Sequence, residues 1–140
     1  MEFASLIALL SALGIGGLIG SVIQSWLSSH NELKAMEREN MQKRYGALVI
    51  QMITKLDPKR IAKLRTIRPD LATFAGLNDE LKVELLNAMM FASDDVINNL
   101  GQFIKDPSYQ TYFQTVKAMR QDLWKTDTKL NEQLLEEIIK

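Results

Sequence analysis

The stretch FASLIALLSALGIGGLIGSVIQSWL, residues 3–27, decides how the chain is read: 25 consecutive residues without a charged side chain. As a helix rising ~1.5 Å per residue, such a run crosses a hydrocarbon core of ~30 Å with some tilt. It predicts an N-terminal transmembrane helix over 3–27. A cleaved secretory signal peptide is the competing reading. It requires a basic leader and a shorter apolar core, whereas Glu2 precedes this run.

No Lys or Arg lies before the run, while Lys34, Arg38, Lys43 and Arg44 follow it. By the positive-inside rule the chain is expected to be a single-pass protein of the inner, cytoplasmic membrane, with its N-terminus outside and its C-terminal domain in the cytoplasm. The absence of cysteine agrees with that compartment.

Within the run, GIGGLIG at 14–20 places four glycines where each weakens an exposed helix by up to ~1 kcal/mol against alanine. In lipid, small side chains let backbones approach closely and gain packing and weak hydrogen bonds. Ala4, Ala8, Ala12, Gly16 and Gly20 form an every-fourth-residue series suited to helix–helix contact. Ser11, Gly17, Ser21, Gln24 and Ser25 supply a small and polar face that could line a pore. The small face changes direction along the helix, which suits a ring of copies.

The rest of the 140 residues predicts an all-α fold: a stalk and first amphipathic helix over 28–56, then a cytoplasmic bundle over 57–140. The bundle is expected to hold four or five helices. Met41, Tyr45, Leu48, Val49, Met52, Ile53 and Leu56 recur at helical spacing, with a weak joint expected at SSHN before them. Asp57-Pro58 and Asp106-Pro107 each signal a helix start. The first such helix carries Ile61, Leu64 and Ile67 inward and stops before Pro69.

NDE at 78–80 is read as the start of one long helix with an apolar face of Leu81, Leu85, Met89, Ala92, Val96, Leu100 and Phe103. The helix after Pro107 is expected to present Tyr109, Phe113, Val116, Arg120, Leu123 and Trp124. A last segment from about Thr128 offers Leu130, Leu134 and Ile138 to the bundle or to a neighbouring copy.

Zero net charge conceals a split. Residues 28–68 carry ten Lys/Arg against four acids, and residues 69–140 carry seven against twelve. Lys55, Lys59, Arg60, Lys63, Arg65 and Arg68 form the main basic patch. It suits anionic lipid or the acidic half of a protein partner; nucleic acid ranks last, because aromatic interleaving is missing.

His30 is the single histidine and there is no thiol, so a His/Cys metal site or a His-based triad lacks its parts. The expectation is no enzyme and no cofactor. Asp94 and Asp95 read as solvated acids, and His30 as an interfacial polar residue.

The order ALLSALGIGGLIG at 8–20, RYGALVIQMITKLDP at 44–58, FASDDVI at 91–97 and MRQDLW at 119–124 is similar to that of small bacterial single-span proteins. In outline it resembles the membrane-anchored accessory protein of type VI CRISPR systems. That resemblance implies an N-terminal span, a helical cytoplasmic domain and a ring-shaped pore that collapses the membrane potential in phage defence. The family's domain is related to HEPN ribonucleases, marked by an arginine with a histidine shortly after it. Here no arginine precedes His30, so the resemblance does not extend to nuclease activity. Two functions are expected: a homo-oligomeric membrane pore or its gate, or a membrane-tethered adaptor that recruits a cytoplasmic partner.

Overall fold

The structure, a computed structural model, describes residues 15–69 and 73–140. All its regular elements are helical. Helix α1 runs Ile15–Leu56, and a 3-10 turn Pro58–Arg60 leads into α2, Ile61–Ile67. Then follow α3 Phe74–Ala88, α4 Asp94–Lys105, α5 Tyr109–Trp124 and α6 Glu132–Ile139. The chain divides into two compact units, 1–40 and 41–140.

The second unit is the helical bundle. Its core takes Tyr45, Leu48, Met52 and Ile53 from α1, Leu81 from α3, Val96, Leu100 and Phe103 from α4, and Tyr112, Phe113, Ala118 and Met119 from α5. Met41, Val49 and Leu56 pack half-buried against it. The whole apolar stripe expected on this part of α1 therefore faces inward, because only one side of a helix can be withdrawn from water. The joint expected at SSHN is absent, and α1 continues through it.

Asp57 caps the 3-10 turn as expected: its carboxylate accepts from the Lys59 amide at 3.2 Å, with Pro58 in the first position. α2 ends at Ile67, so that Arg68 precedes Pro69 outside the helix.

Several expected boundaries and faces are corrected. α3 starts at Phe74 rather than at NDE, because Thr73 Oγ1 accepts from the Gly76 amide at 3.0 Å and so satisfies the helix end first. The long helix through Phe103 is two helices. The chain turns after Ala88, and α4 restarts beyond Ser93 with Asp94 and Asp95 in its positive first turn. Met89, expected inside, is exposed at this turn, while Phe91 packs against Tyr45 with ring centroids 5.9 Å apart.

The start of α5 belongs to Ser108, and Asp106 instead closes α4. Ser108 Oγ accepts from the Thr111 amide at 3.1 Å while Thr111 Oγ1 accepts from the Ser108 amide at 3.0 Å, a reciprocal capping box. The buried face of α5 is Tyr112, Phe113, Thr115, Ala118, Met119 and Asp122. Of the face expected on this helix, Tyr109, Val116 and Leu123 also pack half-buried against the core, whereas Arg120 is exposed and Trp124 half exposed.

α6 turns a different pair of apolar residues inward from the one expected. Leu135 and Ile139 pack on the core, whereas Leu134 and Ile138 face outward. Asn131 Oδ1 caps α6 by accepting from the Leu134 amide at 3.1 Å.

Candidate functional site

The six basic residues expected to form one patch separate in the fold. Lys55, at the end of α1, donates its Nζ to Asn78 Oδ1 on α3. Burial, and then the charge of Lys82, lower its ammonium below the ordinary lysine range. Arg68 Nη2 donates to Glu80 Oε1 on α3 at 3.0 Å. Two residues of the polar cluster read as a helix start, Asn78 and Glu80, thus dock the end of α1 and the chain that follows it. Arg65 is exposed on α2.

Lys59, Arg60 and Lys63 do converge. With Ile50, Ile53, Thr54 and Asp57 they line an open cleft of about 500 Å3 at the corner between α1 and α2. Arg60 is held from two sides: its Nε donates to Asp57 Oδ2 at 3.1 Å, and its Nη2 to the Ile139 carbonyl at the end of α6 at 3.1 Å. Lys140, next along the chain, lies 5.1 Å from the centre of the Tyr109 ring. Arg60 therefore joins the cleft to the C-terminal helix.

A second polar centre was not legible as a site. Asp122, 7% exposed, accepts from Tyr45 Oη at 2.5 Å, from Lys125 Nζ at 2.8 Å and from the Ser93 amide at 3.3 Å. It thereby ties α1, the start of α4 and the end of α5 to one carboxylate. Burial raises the Asp122 carboxyl, but the hydrogen bonds from Lys125, Tyr45 and Ser93 outweigh it and hold the group below the ordinary carboxylate range. Burial, then the hydrogen bond to Asp122 and its charge, push the Tyr45 phenol well above its usual value. Near neutral pH one partner stays ionised and the other protonated, which fits a fixed anchor.

Lys125 reaches Asp122 from a left-handed backbone position, φ 53°, that closes α5. Gln51 is buried on α1, and its Oε1 has no hydrogen-bond partner among the described residues.

In the first unit, Ala4, Ala8, Ser11 and Ala12 lie outside the described residues. Gly16, Gly17, Gly20, Ser21, Gln24 and Ser25 all lie on α1. Ser21, Gln24 and Ser25 are exposed, and Ser21, Ser25 and Ser29 line a shallow groove with Val22 and Trp26. Trp26 and His30 stack with planes 4° apart and centroids 5.6 Å apart. Asp94 and Asp95 are exposed at the first turn of α4, as expected of solvated acids.

Among the described residues no helix is long and apolar enough to cross a membrane. Residues 3–14 of the apolar run lie outside the described residues, and α1 holds its continuation from Ile15. Comparison with protein-family models, with curated proteins and with solved structures finds no match to this chain.

Proposed function

We propose that this chain is a homo-oligomeric, membrane-anchored protein in which the N-terminal run associates helix against helix around a conduit and the cytoplasmic bundle gates it. One observation carries the reading. On α1, Val22, Ile23, Trp26, Leu27, Leu33 and Met36 are each more than half exposed. Val22, Ile23, Trp26 and Leu27 belong to the run of 25 residues without a charge, and Leu33 and Met36 follow it. An apolar surface of this extent calls for cover by lipid or by other helices. The small residues of the run give neighbouring copies a close contact side, with Gly16 and Gly20 at its inner end. A role in phage defence follows from the resemblance in outline and shares its basis.

Mass measurement of the full chain in mild detergent and in lipid nanodiscs tests this reading. A defined ring, weakened in Gly16→Leu and Gly20→Leu, is the expected result. A monomer in both media overturns it. Ion flux from loaded liposomes then separates a conduit from a closed assembly.

A second reading, a membrane-tethered adaptor, is favoured by the bundle itself. Val83, Leu86 and Met90 leave an exposed apolar stripe along α3 and its end, with Met89 beside it. Assembly without ion flux, together with loss of a co-purifying partner in Leu86→Glu, would favour this role over the conduit.

A further inference from the structure

We infer that the cleft at the α1–α2 corner is a binding site for a phosphate group, with Lys59, Arg60 and Lys63 as its ligating side chains. The site belongs to the bundle alone and does not rest on the membrane reading.

Three cations and one carboxylate line the cleft, and that carboxylate is already engaged. Asp57 accepts from the Lys59 amide at 3.2 Å and from Arg60 Nε at 3.1 Å. Lys59 and Lys63 stand four residues apart, on one side of the chain as it enters α2, and neither ammonium has an ion-pair partner among the described residues. Their mutual repulsion is relieved by an anion placed between them.

Arg60 supplies the geometric element. A guanidinium presents its donors in a planar fork that matches phosphate oxygens, and contacts to Asp57 and to the Ile139 carbonyl orient this one before any ligand arrives. Preorientation reduces the side-chain entropy lost on binding. The remaining wall is apolar, from Ile50 and Ile53. It accommodates the carbon part of a phosphate ester and lowers the local dielectric around the charged contacts. The volume falls within the range of small-ligand pockets.

The chemistry fits two sources, a phospholipid headgroup or a soluble phosphate compound. Both would draw on Arg60, and so both should be felt at the end of α6.

The test uses the full chain in a non-ionic detergent, titrated with inorganic pyrophosphate and, separately, with short-chain dihexanoyl phosphatidylglycerol. Binding is followed by calorimetry and by backbone amide shifts. Saturable binding of either probe is expected, with shifts concentrated at residues 57–63 and at Ile139 and Lys140. Affinity should fall at least about tenfold in the Lys59→Gln/Lys63→Gln double variant, the scale of a lost charge-assisted pair of contacts. It should be retained in Arg65→Gln, which removes a charge from α2 outside the cleft. Which probe binds identifies the source.

Lys59 and Lys63 are exposed, so the double variant should unfold at the wild-type temperature; the wild-type shift map supports or overturns the site even if it does not. No saturable binding of either probe, shifts located elsewhere, or equal weakening in Arg65→Gln would overturn the proposal.

Discussion

Two stretches of α1 obey the same helical geometry and meet opposite fates. Between Val22 and Met36 the large apolar side chains are exposed, while between Tyr45 and Ile53 their counterparts on the inner stripe are buried. Helix formation alone therefore does not stabilise a hydrophobic residue. What stabilises Leu48 and Met52 is cover from the rest of the bundle, worth roughly 1.5–3 kcal/mol for each large side chain withdrawn from water. The earlier stretch has no such cover among the described residues.

The largest effect should come from truncating the covered stretch. Leu48→Ala is expected to lower the unfolding free energy of the bundle by about 3 kcal/mol, since Leu48 is fully buried. Leu27→Ala, on the same helix, should change it by less than about 0.5 kcal/mol. Denaturant melts of both variants check the contrast, and equal losses would show that Leu27 is also packed within its own chain.

Next in size is the polar anchor. Asp122→Ala should destabilise by about 2–3 kcal/mol, because Tyr45 Oη loses its acceptor in a buried position. Its pH dependence has a definite sign. The folded-state carboxyl is held below its unfolded value. The stability it contributes is present above the ordinary carboxylate range and is lost as pH falls through the depressed folded value. Asp122→Asn should flatten the acid limb of the stability curve, and an unchanged slope would count against the network.

A smaller loss is expected for Thr73→Ala, about 1 kcal/mol, because it removes the cap that starts α3. Asp79→Ala, in a salt bridge to Lys82 at 3.6 Å on the exposed surface, should cost under about 0.5 kcal/mol. If the order of these two were reversed in thermal melts, the start of α3 would have to be placed nearer to Asn78.

The smallest effect runs the other way and compares glycines. An added Cβ at Gly46 or Gly101 would meet nothing within 4 Å, so Gly46→Ala and Gly101→Ala should each raise stability by up to about 1 kcal/mol. A loss in melts of either variant would mean that a contact requires the glycine. Gly16→Leu and Gly20→Leu address the opposite expectation for the apolar run, where the missing side chain is itself the contact.

Much of the bundle was legible in the primary structure. The inner stripe of α1, the Asp57-Pro58 start and the stop before Pro69 all followed from local chemistry, because backbone donors need caps and proline lacks one. The basic cleft was only half legible. Lys59, Arg60 and Lys63 come together because the 3-10 turn and α2 carry them as one short segment. Lys55 and Arg68 looked equally available, yet partners on α3, remote in the chain, occupy them.

The order of helices and the chemistry of their ends were thus written in neighbouring residues, where a cap or a proline acts within a few positions. The rotation of α6 and the turn between α3 and α4 were not. Asp122 looks like a surface residue until it accepts from Tyr45, 77 positions away. A polar side chain belongs inside only when its hydrogen bonds are satisfied there, and such satisfaction exists only once distant segments have packed.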